Sequence, residues 1–144
     1  MNLTLAALYR DPMPPQERAA LDLLQSPMFA LRVAVEVRRH IVHIPERGKQ
    51  VPVIDWRALS TAVEDGALDV RTPDGRRPVP SNMVRLVRIA CSLGAGTSID
   101  LRAEMGGLDR HEAIAVAAAV ARASDVDLRQ LVAALDEQLV RGAL

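Results

Sequence analysis

Aromatic side chains and cysteine are almost absent from this sequence of 144 residues. Tyr9, Phe29 and Trp56 are its three aromatic residues, so the hydrophobic core must be built from aliphatic side chains and methionine. Three scattered rings also form no platform on which unpaired nucleic-acid bases could stack. Cys91 is the single cysteine, which excludes an intrachain disulfide and a cysteine-based zinc cluster. A reducing compartment is therefore expected.

A membrane-spanning run and a secretory leader are also missing. The apolar run at residues 113–121 is far shorter than the roughly 20 residues that cross a bilayer. The N-terminal apolar stretch has no basic residues before it and ends at Arg10, Asp11 and Pro12, unlike a signal peptide. We therefore expect a cytoplasmic protein with no membrane partner.

Catalytic and metal-binding signatures are lacking as well. The sequence contains no G-x-G-x-x-G, P-loop or G-x-S-x-G motif. His40 and His43 are three residues apart, and no third ligand is recognisable nearby, so the pattern favours two exposed histidines over a metal site. The sequence predicts a non-catalytic protein without metal or cofactor. An enzyme whose site is assembled from distant residues is the less favoured alternative.

Aliphatic residues at helical spacing are abundant. Hydrophobic residues make up 49% of the chain, which suits one domain over residues 1–144. Capping residues and periodicity predict a mainly α fold, a compact helical domain of about five to seven helices with one small β-hairpin at about residues 67–80.

The segment at residues 108–124 is the predicted centre of the fold. Asp109 is a good N-cap with Glu112 three residues later, and residues 113–121 contain no polar side chain. Such a helix has no polar side to turn to water, so we expect it to be buried. Three alanines recur every fourth residue and predict a buried edge that another helix approaches closely: Ala113, Ala117 and Ala121.

Other helices are predicted along the chain, with one ambiguity. A helix starts at Pro15 and stops near Ser26, and a longer one is favoured over residues 27–43, although alternating valines there also fit a strand. A loop with a short extended piece at residues 50–54 follows. Further helices start at Asp55, Ser81, Asp100 and Ser124, and the last has an apolar stripe formed by Leu128, Leu131, Val132, Leu135 and Leu139.

The predicted hairpin at residues 67–80 carries the candidate binding residues. Leu68 and Val70 alternate with polar residues, and residues 73–75 (Pro-Asp-Gly) have strong turn chemistry. Arginines cluster at its tip and on the helix that leaves it: Arg71, Arg76, Arg77, Arg85 and Arg88. A protruding basic hairpin resembles the wing of winged-helix proteins, which contacts DNA phosphates.

Charge is unevenly distributed although the net charge is zero. Residues 32–88 carry eleven basic and seven acidic side chains, whereas residues 89–144 carry five basic and eight acidic ones. This pattern supports two hypotheses. The first is a small nucleic-acid-associated, DNA-binding protein that uses the five arginines. The alternative is a protein-interaction module, most simply a homodimer that self-associates through its apolar helices.

Overall fold

The computed structural model of this chain describes residues 4–25, 31–69, 75 and 78–124, together with Ala133, Asp136, Glu137 and Arg141. The described chain forms a 3-10 helix at Leu5–Leu8, six α-helices and one antiparallel hairpin. The helices are α1 (Pro15–Leu24), α2 (Leu31–Arg38), α3 (Trp56–Glu64), α4 (Ser81–Ala95), α5 (Leu101–Met105) and α6 (Arg110–Ala123). The strands are β1 (Ile41–Glu46) and β2 (Lys49–Ile54). The predicted mainly helical fold with one small hairpin is confirmed.

Three helices begin at the aspartates that the sequence predicts as caps. Each carboxylate accepts a hydrogen bond from a backbone N–H in the first turn, which would otherwise lack a partner. The pairs are Asp55 with Ala58 at 3.0 Å, Asp100 with Ala103 at 3.1 Å and Asp109 with Glu112 at 2.8 Å. Ser81 instead is the first residue of α4, whose N-cap is Pro80.

Helix α4 lies at the centre of the described helices, because it packs against α1, α3, α5 and α6. Six of its side chains are buried: Val84, Leu86, Val87, Ile89, Ala90 and Cys91. Helix α1 contributes five more from Ala19 to Leu24 and also packs against α6. The Trp56 indole of α3 covers Gly94 so closely that a Cβ there would overlap the ring. The core is therefore built around α4.

The predicted burial of residues 113–121 is wrong. Helix α6 buries Val116, Ala119 and Ala121, but Ile114, Ala117 and Val120 are exposed. The sequence of a helix without polar residues does not indicate which of its sides is buried. In the structure, α1 and α4 cover one side of α6 only. The alanine edge at Ala117 consequently faces solvent.

The hairpin that the structure describes lies at residues 41–54, whereas half of the range predicted as a hairpin, residues 70–74, 76 and 77, lies outside the described residues. Ile41 pairs with Ile54 and Glu46 with Lys49, and the two turn residues Arg47 and Gly48 have φ of 49° and 78°. Positive φ at both positions is typical of the tight turn that joins two antiparallel strands. In the region predicted as the hairpin, the amide of Val79 donates to the carbonyl of Leu68 at 2.8 Å, and the described residues around this bond form no strand.

The helix predicted over residues 27–43 is confirmed at residues 31–38 and wrong at residues 41–43, and residues 27–30 lie outside the described residues. Helix α2 ends at Arg38, and β1 begins three residues later. Pairing with β2 gives the backbone of residues 41–46 the hydrogen bonds that a continued helix would have supplied. The side chains also suit a strand, because Ile41, Val42 and Ile44 are β-branched.

Ionic contacts attach the hairpin to the helices. The Arg10 guanidinium lies 2.9 Å from Glu17 on α1 and 3.0 Å from Glu46 on β1. Strand β2 also packs against the N-terminal 3-10 helix. Within the described residues, no helix is both long and apolar enough to cross a membrane.

Candidate functional site

Two of the five predicted phosphate-binding arginines are engaged within the molecule. Arg85 donates to the carbonyl of Ala103, and its guanidinium lies 4.0 Å from the Glu104 carboxylate. Arg88 lies 3.7 Å from Glu104 and 3.9 Å from Glu64. These contacts hold α5 and α3 against α4. A nucleic-acid phosphate would compete with carboxylates that are already in place.

The other three arginines of that set, Arg71, Arg76 and Arg77, lie outside the described residues. The described residues flanking them are joined through the Val79 to Leu68 hydrogen bond, so the two ends of the segment lie close together. The structure therefore neither joins these three arginines to Arg85 and Arg88 nor separates them.

The hairpin at residues 41–54 offers a different basic surface. Arg47 and Lys49 at its turn are exposed and form no ion pair with the described residues. Glu46, the acidic neighbour of the turn, is paired with Arg10. Val42 and Ile44 of β1 are also exposed, 41% and 37% of their surface respectively. Sequence reasoning placed this segment in a helix and a loop and so missed it, although Arg47-Gly48 followed by Val51 and Val53 is a usable hairpin signal.

Histidine and cysteine do not assemble a catalytic or metal site. His40 contacts the buried Glu36 at 3.1 Å, whereas His43 lies on β1. Among the described residues no cluster of three or more metal-ligating side chains is found. Cys91 is fully buried, and burial, together with the negative charge of Glu64, raises the pKa of its thiol to about 12. The interpretation of Cys91 as a structural residue is consistent with this burial.

An apolar groove between α5 and α6 is the most distinctive surface of the described chain. Its volume is about 390 Å³. The lining residues are Leu101, Met105, Val116, Ala117, Val120, Ala121 and Ser124. Leu101 keeps 49% of its surface exposed, Val120 42%, and the nearby Ile114 58%. Large aliphatic side chains exposed to this degree beside one another indicate a surface that binds another apolar surface.

Polar groups that could orient a small ligand are scarce in this groove. Ser124 is the polar residue among those that line it, and its hydroxyl donates to the carbonyl of Val120 at 3.2 Å. Small-molecule sites combine an apolar wall with a few convergent polar groups. The described lining therefore suits an extended apolar partner better than a small polar molecule.

The exposed charges around the groove are mainly arginines. Arg102 follows Leu101 on α5, and Arg110 and Arg122 lie at the two ends of α6. Asp100 and Asp109 are exposed too, but both carboxylates cap helix N-termini. The hydrogen bond that the backbone N–H of Glu112 donates to the Asp109 carboxylate lowers the pKa of Asp109. Glu104 is bound to Arg85 and Arg88, and Arg122 is paired with Asp22 at 3.5 Å, so Arg102 and Arg110 are the two of these arginines that form no ion pair with a described residue.

Sequence reasoning had the signals for this groove but interpreted them as core. The absence of polar residues at positions 113–121 was a correct signal of apolar character, but it was interpreted as burial. Only the positions of α1 and α4 show that one side of α6 has no neighbour among the described elements.

Comparison of the chain with protein-family models, with curated proteins and with solved structures finds no match in any of the three.

Proposed function

We propose that this protein is a protein-interaction module that receives an amphipathic helix in the α5–α6 groove. The observation that carries the proposal is the apolar face of α6, where Ile114 and Val120 are exposed beside Leu101 of α5. Removing such surface from water is favourable by about 25 cal/mol for each Å². A partner that covers this face therefore gains binding energy without any polar contact.

The shape and charge of the groove define the partner. Ala117 and Ala121 give α6 an edge with little side chain, against which the backbone of another helix can approach closely. Arg102 beside the groove favours acidic residues flanking the apolar stripe of that helix. The partner is thus a helix with a leucine-rich stripe and an acidic flank, and docking would follow the helix-in-groove mode.

A labelled peptide tests this proposal. The probe is a fluorescein-labelled peptide with the sequence of residues 125–144, which carries a leucine-rich stripe and four acidic against two basic side chains. Its fluorescence anisotropy should rise in a saturable way when the full chain is added. Val120→Asp should weaken binding about tenfold or more, because a charge would be buried in an apolar contact.

Val42→Asp is the matched control for this experiment. Val42 and Val120 are both valines with nearly equal exposure, 41% and 42%, but only Val120 lines the groove. Equal loss of binding in both variants, or no saturable binding by the full chain, would refute the proposal.

Self-association is a prediction that follows from the same surface, because a second copy also carries the sequence of residues 125–144. Light scattering over a range of concentrations measures it. A mass that increases with concentration in the wild type, but not in Val120→Asp, is expected if the groove takes part in a homodimer.

Nucleic-acid binding is a second candidate, supported by the exposed basic turn at Arg47 and Lys49. If these residues and the arginines at positions 71, 76 and 77 contact phosphate, affinity should fall with rising salt, with a log-log slope of about −0.9 per contact. Gel shifts with duplex DNA at several salt concentrations measure that slope. Arg47→Glu with Lys49→Glu, and separately Arg76→Glu with Arg77→Glu, should flatten it.

Arg122→Glu with Arg141→Glu is the control pair for these gel shifts, because both arginines lie in the acidic C-terminal part. The absence of any binding at low salt would eliminate the nucleic-acid candidate and leave the interaction module.

A further inference from the structure

Strand β1 is the open side of the hairpin. Its residues 42–45 are all exposed, and because successive side chains of a strand point to opposite faces, both faces of β1 reach solvent here. Val42 and Ile44 are 41% and 37% exposed. Strand β2, in contrast, buries Val53 and Ile54 and packs against the 3-10 helix. The side of residues 41–45 that faces away from β2, called the free edge below, is therefore open to another strand.

The hydrogen bonding of the hairpin identifies which backbone groups lie on the free edge. In an antiparallel pair, residues that bond to the opposite strand alternate with residues whose N–H and C=O point away from it. The amide of Asp55 donates to the carbonyl of His40 at 2.7 Å, one position before the first pair of the ladder. Every second residue from His40 therefore bonds to β2. The N–H and C=O of Ile41 and His43, and the C=O of Pro45, point outward.

The positions of two prolines agree with this assignment. Pro45 and Pro52 lack an N–H, and they lie opposite Gln50 and His43, at positions whose amides point away from the opposite strand. Pro52 lies within β2 and removes an outward donor from the outer edge of that strand. Pro45 lies near the end of β1, next to the turn, so the free edge keeps the outward amides of Ile41 and His43.

The free edge also lacks the features that prevent strand pairing. Natural edge strands are protected by charged side chains, by bulges or by a covering element. Residues 41–45 contain no Lys, Arg, Asp or Glu, and among the described residues no backbone hydrogen bond from another element reaches their outward groups. Glu46, the next residue, is paired with Arg10. The free edge thus presents donors, acceptors and apolar side chains to a further strand.

We propose that two copies of this chain associate through their free edges, so that the two hairpins form one four-stranded antiparallel sheet. The two β1 strands run antiparallel about a two-fold axis at His43, which lies opposite His43 of the other copy. Ile41 of each copy then faces Pro45 of the other. This surface is distinct from the α5–α6 groove, and the inference goes beyond the proposed function.

The free edge is complementary to itself in this register, as a two-fold interface requires. The two His43 residues exchange two hydrogen bonds, and each Ile41 amide donates to the Pro45 carbonyl of the other copy. Val42 lies opposite Ile44 of the other copy, at a position without hydrogen bonds, where facing side chains are closest. The exposed apolar side chains of both strands therefore cover each other.

Other registers lose this match. Sliding one strand by two residues in one direction places Val42 opposite Val42 and leaves Ile44 opposite His40 of the other copy. Sliding it in the other direction places Val42 opposite Glu46. In both cases an apolar side chain that is exposed in the single chain has no apolar neighbour, so the register about His43 is favoured.

Sedimentation equilibrium of the full chain tests the association. A pairing of five-residue strands buries less than the roughly 1,200 Å² of stable complexes, so we expect a reversible dimer at about millimolar protein. His43→Pro should weaken dimerisation about tenfold or more, because it removes both central N–H donors. The ladder to β2 does not use this amide. His43→Ala keeps the N–H and is the matched control, with dimerisation close to that of the wild type.

Val120→Asp separates this interface from the groove. Val120 lines the groove and does not belong to the hairpin, so association through β1 should persist in this variant. Circular dichroism melting checks that His43→Pro is folded, which we expect because Pro45 and Pro52 already occupy equivalent outward positions.

Disulfide formation tests the register independently of His43→Pro. Val42→Cys and Ile44→Cys are prepared as separate chains and mixed with oxidised glutathione, while the native Cys91 is buried. Facing residues at a position without hydrogen bonds have Cα atoms about 4.5 Å apart, within reach of a disulfide, whereas the two copies of position 42 are about 7 to 8 Å apart. The mixture should therefore form crosslinked dimer several times faster than either chain alone.

The outcomes assign the interface. Crosslinking that needs both chains, together with dimerisation lost in His43→Pro and kept in His43→Ala, supports the inference. A wild type that stays monomeric up to about 1 mM overturns it and leaves the free edge to an extended segment of another protein. Association that is lost in Val120→Asp and kept in His43→Pro assigns the dimer to the groove and overturns it too. Crosslinking of Val42→Cys alone as fast as the mixture overturns the pairing about His43.

Discussion

At the scale of single residues, the contact between Trp56 and Gly94 determines how closely α3 approaches α4. Trp56 is the largest side chain in the core and is 6% exposed. Its ring occupies the space where a side chain at position 94 would begin. A glycine inside α4 lowers helix propensity by about 1 kcal/mol relative to alanine, so its presence there is explained by packing.

Gly94→Ala should therefore lower the stability of the protein in spite of the better helix propensity. Overpacking of a core costs about 1 to 3 kcal/mol, and we expect a decrease of that order in the free energy of unfolding measured with urea. Gly106→Ala is the control, because Gly106 has a helical φ of −63° and a Cβ there would approach only backbone oxygens at 3.4 Å or more. A stabilised Gly94→Ala variant would show that the indole lies elsewhere.

Cys91 gives a second prediction at this scale, on alkaline stability. Burial raises the pKa of its thiol from 9.0 to about 12. Above about pH 9 the unfolded chain releases this proton while the folded chain keeps it, so deprotonation lowers the free energy of the unfolded state relative to that of the native state. The contribution of Cys91 to stability is complete below pH 9 and falls by about 1.4 kcal/mol per pH unit between pH 9 and 12.

Urea unfolding at pH 8 to 10.5 measures this dependence, with Cys91→Ala as the comparison. The pKa of Tyr9 is also raised, through burial and the hydrogen bond to Asp22, and its titration acts in the same direction. The difference in slope between wild type and Cys91→Ala isolates the thiol. Parallel slopes in the two proteins would contradict the burial of Cys91.

At the scale of elements, one polar contact joins the start of α4 to the start of α6. The Asn82 amide donates to both carboxylate oxygens of Glu112, at 2.9 and 3.2 Å. Glu112 is 4% exposed, so its charge is satisfied mainly by this amide. Helices α4 and α6 share few other polar side-chain contacts. The Asn82–Glu112 pair therefore sets how the N-termini of the two helices lie against each other.

Asn82→Ala should cost about 1 to 3 kcal/mol, because it leaves a buried carboxylate without its side-chain partner. The free energy of unfolding by urea provides the measurement. Adding Glu112→Gln to Asn82→Ala should recover part of the loss, since a neutral amide is less costly to bury than an unpaired carboxylate. The two residues are not coupled if Glu112→Gln lowers the free energy of unfolding by the same amount in the Asn82→Ala variant as in the wild type.

At the scale of the whole molecule, the core and the candidate surfaces use different parts of the chain. The core is formed mainly by α1, α3 and α4, whereas the groove is formed by α5, which packs against α4, and by α6, which packs against α1 and α4. The basic turn lies on a hairpin whose strand β1 is almost entirely exposed. The α5–α6 groove and the basic turn can therefore be altered separately without disturbing the buried side chains.

The sequence by itself determined the local features of this protein: the capped starts of α3, α5 and α6, the extent of α1, the left-handed Gly66 after α3, and the apolar character of α6. These local features depend on residues that are close together in the sequence, so their spacing can be read from the sequence directly. Tertiary structure alone decided that residues 41–46 pair with residues 49–54, that Arg85 and Arg88 meet Glu104, and that Ala117 faces solvent. Each of these three features depends on which element from a distant part of the sequence lies alongside the residues concerned. A helix with no polar side carries no periodic signal that would indicate its covered face.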